Sequence, residues 1–287
     1  MTDGSDRRDM LRLGAVGLAA ASMIGVRRAE AQSAPSSLLR TVLDRGKLIV
    51  GTGSTNAPWH FEDEKGQLTG MDIAMGRILA KGLFDDDTKV DFVRQDPAAR
   101  IPNITTGKVD IVIQFMTISA LRAQLVNFSR PYYVEGVALL TLPDAKIKTF
   151  DQLLANGAQT RVSVLQNVAA DDLVHQVLPK AQVMQLDTQA NVVQALESHR
   201  VDAAAVDLST VRWMVKQDPN KYADSGKHWQ HQLYGAAMRQ GDLDWLQFVD
   251  TVFEVAMFGN DTDAYDAAFE KFFGETPPQR KPGFPMI

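Results

Sequence analysis

The stretch IQFMTISALRAQLVNFSRPYY spans residues 113–133 and leads from an apolar strand through a turn into a helix. Ser119 is a good N-cap because its hydroxyl can accept a hydrogen bond from an N–H group of the first helical turn. Arg122 follows three residues later. Free N–H groups at a helix start attract anions, and a guanidinium can bind a carboxylate through two parallel hydrogen bonds. The pattern favours a carboxylate site, with a solvated helix arginine as the alternative.

Short apolar runs alternate with helical patterns along the rest of the chain, which is typical of an α/β fold. The predicted strands are residues 47–51, 89–93, 109–113, 134–142, 161–165, 182–186, 203–206 and 233–238. The spacing of Trp245, Val249, Val252 and Phe253 predicts a helix with one broad apolar face. We expect that helix to pack on a sheet and to bury its aromatic side chains in the core.

Several motifs resemble those of a known family. The pattern Thr117-x-Ser119-x-x-Arg122, followed by Pro131-Tyr132-Tyr133, resembles the ligand-site signature of family 3 of the bacterial extracellular solute-binding proteins. These proteins are the amino-acid receptors of ABC importers. Matching blocks occur in order along about residues 38–275: Gly46-Lys47-Leu48-Ile49-Val50-Gly51, Ala57-Pro58-Trp59, Gly70-Met71-Asp72-Ile73, Arg100-Ile101-Pro102, Gly107-Lys108-Val109-Asp110 and Lys271-Phe272-Phe273-Gly274.

The resemblance implies a two-lobed, periplasmic-binding-protein-like fold of type II, with a ligand cleft between the lobes and a discontinuous first lobe. Residues 38–140 and 235–275 are expected to form the first lobe, and residues 141–234 the second. Strands 134–142 and 233–238 are then the two crossovers. Residues 276–287 are predicted to be a C-terminal tail, because they are rich in proline and lack periodicity.

The first 31 residues have the pattern of an export signal. Asp6-Arg7-Arg8-Asp9-Met10-Leu11-Arg12 resembles a twin-arginine motif, and the apolar run after it is shorter than the roughly 20 residues that span a bilayer. Ala29-Glu30-Ala31 fits a small-x-small cleavage site. We therefore expect Tat export, cleavage after Ala31 and a monomeric receptor in the periplasm. An uncleaved amphipathic anchor is the alternative.

The composition argues against several classes of protein. A formal net charge of −5 does not suit nucleic-acid binding, which depends on Lys and Arg side chains that neutralise phosphates. The chain has no cysteine, so it forms no disulfide. Gly51-x-Gly53 lacks the third glycine of a dinucleotide site, and His228-x-x-His231 lacks the flanking ligands of a metal site. The sequence therefore predicts no cofactor and no metal ion.

The resemblance assigns ligand contacts in the first lobe. It places the carboxylate-binding arginine of the family at Arg122, and it implies that the Thr117 hydroxyl and the Phe115 carbonyl reach the ligand. Trp59 is expected to form an aromatic wall of the pocket, with Asn56 beside it.

A second set of residues is expected to bind the rest of the ligand. Asp207 follows an apolar strand and precedes a helix, so its local pattern fits either an ammonium ligand or an N-cap; the resemblance favours the ammonium. Asn167 and Val168 stand where relatives carry Gly and then Thr or Ser, which puts one hydrogen bond in doubt. Arg100 and Gln189 fall at positions that contact the ligand in acidic-amino-acid receptors of the family.

These observations predict a receptor that captures a polar amino acid, with aspartate or glutamate as candidates, and delivers it to an ABC permease in the inner membrane. One alternative is an enzyme on the same fold, because cyclohexadienyl dehydratases resemble this family. Asp171 and Asp172 are the candidate acids for such an elimination. A ligand sensor for a signalling receptor is a third reading, which shares the same site.

Overall fold

The computed structural model describes residues 37–166 and 170–277, together with Arg280. The predicted export signal with its cleavage site after Ala31, most of the predicted tail, and both Asn167 and Val168 lie outside the described residues. Within the described part of the chain, no helix is long and apolar enough to cross a membrane.

The described residues form helices and strands in alternation. The helices are α1 (Leu38–Arg45), α2 (Met71–Phe84), α3 (Arg100–Thr105), α4 (Ala120–Ala123), α5 (Phe150–Asn156), α6 (Ala170–His175), α7 (Gln189–Glu197), α8 (Leu208–Gln217), α9 (Leu243–Phe258) and α10 (Asp263–Phe273). The strands are β1 (Leu48–Thr52), β2 (Thr55–Asn56), β3 (His60–Glu62), β4 (Leu68–Thr69), β5 (Val90–Arg94), β6 (Ile111–Val112), β7 (Asn127–Phe128), β8 (Tyr133–Thr141), β9 (Arg161–Leu165), β10 (Gln182–Leu186), β11 (Ala203–Asp207), β12 (Ala223–Tyr234) and β13 (Ala237–Met238).

Two five-stranded sheets confirm the two-lobed α/β architecture. The first sheet has the order β5-β1-β6-β13-β7, with β1 parallel to β5 and β6. The second has the order β10-β9-β11-β8-β12, with β9 parallel to β10 and β11. In the first sheet the return strand β13 is antiparallel to β6, and in the second sheet β8, which precedes β9 along the chain, is antiparallel to β11. Parallel sheets of this kind place ligands at the carboxyl ends of their strands.

Helix α9 buries Trp245 and Phe253 as its sequence pattern predicts, and its principal neighbours are the helices α1, α2 and α10. Asp242 caps it by accepting a hydrogen bond from the Trp245 N–H at 3.0 Å. Trp245, Val249 and Phe253 are fully buried in the core of the first lobe. These side chains repeat every fourth residue, so they lie along one face of the helix.

The chain crosses between the sheets at places that differ from the sequence prediction. Strand β8 belongs wholly to the second sheet, so the first crossing comes before Tyr133 and not near Thr141. The predicted strand 233–238 is wrong as a single element, because β12 ends at Tyr234 in the second sheet and β13 starts at Ala237 in the first. Gly235 lies at this crossing, where a Cβ atom would come within 2.8 Å of Ile118. We propose these two crossings as the lobe boundaries.

Candidate functional site

Arg122 lies on α4, just beyond the carboxyl end of β6. Ser119 caps that helix as predicted, since its Oγ accepts a hydrogen bond from the Arg122 N–H at 3.4 Å. The helix has a single turn of four residues, so most of the positive charge comes from the guanidinium itself and little from the helix dipole. Arg122 Nη1 donates to the Thr117 carbonyl at 2.8 Å. Within the part of the chain that the structure describes, this half-buried guanidinium has no carboxylate partner.

Arg100 brings a second cation to the same edge of the first sheet. Its Nε donates to the Pro97 carbonyl at 2.9 Å, and its Nη1 donates to the Gln114 carbonyl at 3.2 Å. Burial lowers the pKa of Arg100, and the nearby charge of Arg122 lowers it further. The charge of Asp72 acts in the opposite direction, but neither arginine has an ion-pair partner among the described residues, so this edge of the sheet suits negative charge.

Phe115 lies between these cations and the core. Its φ of +34° is unusual for a residue with a Cβ atom. The Arg100 guanidinium carbon lies 5.7 Å from the centre of the Phe115 ring, and that ring also stacks on the His60 ring, with 4.9 Å between the ring centres. The structure therefore places Phe115 and Arg100 in one cluster.

Thr117 links the two sheets. Its hydroxyl donates to Oε1 of Gln232 at 3.1 Å, and its backbone forms an isolated antiparallel bridge with Tyr234. Gln232 belongs to β12 and lines a cavity of 320 Å³ on the second sheet. The predicted carboxylate-binding turn therefore touches the wall of the cavity that holds Asp207.

Asp207 ends β11 and faces that cavity. Although it occupies the N-cap position of α8, its side chain makes no capping hydrogen bond. Burial raises the pKa of Asp207 to about 6, because an apolar environment disfavours the charged carboxylate. Gln189, the first residue of α7, lines the same cavity, and so does Asp172. The structure brings together an acid and several side-chain amides that suit an ammonium group and a polar ligand.

Glu135 takes over the capping role that the sequence offered to Asp207. Its Oε1 accepts hydrogen bonds from the Ser209 N–H at 3.2 Å and the Gly136 N–H at 2.9 Å, and its Oε2 accepts one from the Ser209 hydroxyl at 2.6 Å. Glu135 is 1% exposed, and burial together with the charge of Asp207 raises its pKa to about 7. Sequence reading missed this residue, although a lone carboxylate in the apolar strand 134–142 was a usable signal.

Trp59, predicted as an aromatic wall of the pocket, lies in the hydrophobic core of the first lobe. It is 2% exposed and packs edge-on against Tyr133 and Tyr234, with ring centres 4.8 and 5.2 Å away. Its Nε1 donates to the Ser209 hydroxyl at 3.0 Å, so it joins the first lobe to α8. Asn56 is exposed and lines a separate cavity of 240 Å³ on the first sheet.

The histidine pair of the sequence does not form a metal centre. His228 is held by Asp224, with the two side chains 2.7 Å apart, and His231 is exposed. Across residues 37–166 and 170–277, no group of three or more His, Cys, Asp or Glu side chains is arranged to hold a metal ion.

A family model of the bacterial extracellular solute-binding proteins, family 3, matches residues 48–275. The chain belongs to this family. Among curated family 3 proteins, the L-cystine-binding protein TcyJ of Escherichia coli (strain K12) is 30% identical over 84% of this chain and 88% of its own length. The glutamine-binding protein of Geobacillus stearothermophilus is 31% identical over 66% of this chain and 71% of its own length.

Solved family 3 structures have the same fold. An ancestral cationic amino acid solute-binding protein, AncCDT-1, superposes with a TM-score of 0.70 at 33% identity, over 83% of this chain and 100% of its own. A second structure of AncCDT-1, described as a precursor of cyclohexadienyl dehydratase, gives a TM-score of 0.63 over the same share of both chains, also at 33% identity. The two relatives above are named as binding proteins, whereas the second AncCDT-1 structure is described as the precursor of an enzyme.

Proposed function

We propose that this family 3 protein is a receptor that captures a polar amino acid between its lobes and delivers it to an ABC permease of the inner membrane. The observation that carries the proposal is the separation of charge. Arg122 and Arg100 lie without carboxylate partners on the first sheet, among the described residues, and Asp207 faces a cavity on the second. A zwitterionic ligand complements both sides when the lobes close on it.

Seven of the predicted contacts have a defined place in this proposal. Arg122 binds the α-carboxylate, and the Thr117 hydroxyl together with the Phe115 carbonyl completes that end of the site. Asp207 binds the α-ammonium. Gln189 lies beside Asp207 and contacts the remainder of the ligand. Asn167 and Val168 are proposed as backbone donors of the second lobe.

The proposal is tested by calorimetry after a thermal-shift screen of the common amino acids has identified the ligand. Arg122→Ala is expected to weaken binding by roughly 2–5 kcal/mol, because a desolvated carboxylate is left without its partner. Arg130→Ala is the matched control. Arg130 pairs with Glu254 on the surface, so this variant removes the same charge as Arg122→Ala. Equal affinity of the wild type and Arg122→Ala would contradict the proposed site.

The absence of bond chemistry is also part of the proposal. A dehydratase requires a carboxyl with a raised pKa near the leaving group. The second candidate is favoured because Asp207 has a raised pKa and lines the same cavity as Asp172. Incubation with arogenate or prephenate distinguishes the two. We expect no aromatic product, and turnover that disappears in Asp207→Asn would establish the enzyme instead.

The proposal includes Tat export, removal of residues 1–31 and action as a monomer in the periplasm. The twin-arginine motif and the small residues before Gln32 support it, as does membership of an extracellular family. Mass spectrometry of the periplasmic protein should find Gln32 at the N-terminus, and a retained Met1 would contradict cleavage.

A further inference from the structure

Helix α8 belongs to the second lobe but presents one side to the first. It follows β11, the central strand of the second sheet, and its residues Leu208 and Val211 are buried in the core of that lobe. A different set of its side chains contacts the first lobe. These residues have the spacing i, i+3, i+4 and i+7, which places them along one side of the helix. They form what we call the first-lobe face of α8: Ser209, Arg212, Trp213 and Lys216.

Lys216 caps the C-terminal end of a helix in the other lobe. Its Nζ donates hydrogen bonds to the backbone carbonyl of Glu270 and, at 2.9 Å, to that of Lys271, both in the last turn of α10. The last carbonyls of a helix lack partners within the helix, and a cation near them suits the negative end of the helix dipole. Gly274 ends α10 with a φ of +73°, and an added Cβ atom there would lie 3.1 Å from Cδ of Lys216. The second lobe therefore supplies the cap of a first-lobe helix.

Arg212 and Trp213 add an ion pair and an aromatic contact to this cap. Arg212 Nη2 lies 2.8 Å from Oε2 of Glu275, just beyond the end of α10. The Trp213 ring packs edge-on against Phe61 and at a tilt against Phe272, with ring centres 5.3 and 6.3 Å away. Both phenylalanines pack in the core of the first lobe. Trp213 thus extends that core with a side chain from the second lobe.

Ser209 completes the first-lobe face at the start of the helix, where its hydroxyl accepts the hydrogen bond from Trp59. It lies two residues after Asp207, the proposed ammonium ligand. The first-lobe face therefore extends from the ligand site to the end of α10. Its four residues are not among the described residues that line the 320 Å³ and 240 Å³ cavities.

These contacts restrain the relative movement of the lobes. The lobes can rotate about the two chain crossings only if α8 moves against α10. Such a movement separates Lys216 from the α10 carbonyls and withdraws Trp213 from the first-lobe core, and each loss has a free-energy cost. The contacts are present in the arrangement in which Thr117 and Gln232 are hydrogen-bonded across the site. They therefore favour that arrangement of the lobes.

We propose that the first-lobe face of α8 stabilises the ligand-binding arrangement of the two lobes, and that it raises ligand affinity without touching the ligand. The inference rests on the proposed function, because it concerns closure of the lobes on an amino acid. A receptor whose binding arrangement is less populated has a proportionally weaker apparent affinity. The affinity of this protein is therefore set in part outside the charged groups of the site.

Substitution of Lys216 tests the proposal. Lys216→Met removes the capping donors and keeps an apolar side chain of similar length. Titration calorimetry with a panel of the common amino acids and L-cystine should show affinity about fivefold weaker than that of the wild type for the panel member that binds. Lys216→Arg keeps a cationic donor and should restore most of the affinity. Glu275→Gln removes the partner of Arg212 and should weaken binding less, because Glu275 is half exposed.

Two control variants separate this effect from a general loss of stability. Lys148 also donates to a backbone carbonyl, that of Pro143, but both residues lie in the second lobe, so Lys148→Met removes a similar contact within one lobe. Val249→Ala removes buried methyl groups from the core of the first lobe and should lower the melting temperature. We expect both variants to bind as the wild type does. Unchanged or higher affinity in Lys216→Met would overturn the proposal, and so would an equal loss of affinity in Val249→Ala.

A measurement without ligand distinguishes failure of this inference from failure of the proposed function. Since the chain has no cysteine, spin labels can be attached through Glu64→Cys in the first lobe and Lys180→Cys in the second, both at exposed positions. Double electron–electron resonance should give a broader distance distribution for ligand-free Lys216→Met than for the ligand-free wild type. Identical distributions would overturn the inference even if the protein binds an amino acid. A broader distribution in a protein that binds no panel member would confirm the restraint on the lobes and overturn the receptor function.

Discussion

At the scale of single residues, the site depends on charges that have no partner until a ligand arrives. Asp207 makes no capping bond and Arg122 no ion pair, although each is partly buried within the described chain. Each therefore carries a desolvation cost that a zwitterion can offset. The raised pKa of Asp207 reflects the cost of desolvating its carboxylate.

This shift predicts a pH dependence of binding. The ligand ammonium pairs with ionised Asp207, whose pKa is raised by burial to about 6. As the pH falls through that value the carboxylate becomes neutral, so affinity should drop by about tenfold per pH unit below it. Titration calorimetry at a series of pH values measures this. Asp207→Asn should bind weakly with a flat profile, and an unchanged slope in that variant would assign the proton to another group.

At the scale of elements, the start of α8 is held to strand β8 of the second sheet by hydrogen bonds. Glu135 on β8 accepts three hydrogen bonds, two from Ser209 and one from Gly136, and Trp59 of the first lobe donates to that same Ser209 hydroxyl. The carboxylate is buried, so its environment favours the neutral form and raises its pKa from 4.5 to about 7.

The pKa of Glu135 is raised, whereas the pKa of a carboxylate in an ion pair is lowered. The folded state binds the Glu135 proton more tightly than the unfolded state, so this contribution to stability is complete below about pH 4.5. It is lost as the pH rises towards 7, by up to about 3 kcal/mol. Glu135→Gln keeps an acceptor oxygen without the charge. Urea denaturation across this range should give a flatter pH profile for the variant, and parallel profiles would contradict the assignment.

The sequence predicts regular elements well where apolar periodicity is strong, and less well where an element carries many polar side chains. Residues 161–165 and 182–186 coincide with β9 and β10, since both are short apolar runs. Strand β12 was predicted only at its end, because its outward side chains are polar and its register contains two irregularities. The burial of Trp59 was not predicted, because an aromatic residue after Pro58 fits a pocket wall as well as a core.

The sequence also predicts some residues of the site better than others. Arg122 has a local signal, in the spacing from its N-cap, and the structure confirms that cap. Glu135 and Lys216 have roles that arise only when distant segments meet. Ser209 is 74 residues from Glu135, and Glu270 is 54 residues from Lys216. Neither separation follows a periodicity that a single sequence reveals.

At the scale of the whole molecule, the two sheets meet near the site through side-chain hydrogen bonds and through the packing of Tyr133 and Tyr234 on Trp59. The Thr117 hydroxyl reaches Gln232 of the second sheet, and Trp59 reaches Ser209. In the proposed function, the lobes close on the ligand by a hinge-type motion and the ligand makes contacts with both sheets. Binding to the folded state should therefore stabilise it, by about 2.7 kcal/mol when the ligand is present at a hundred times its Kd.

A crystal structure with the amino acid that the thermal screen identifies tests the central claim most directly. The account predicts that the ligand lies between the two sheets. Its carboxylate should be within hydrogen-bonding distance of the Arg122 guanidinium, and its ammonium within that distance of Asp207. A ligand bound elsewhere, with Arg122 and Asp207 both directed into solvent, would contradict it.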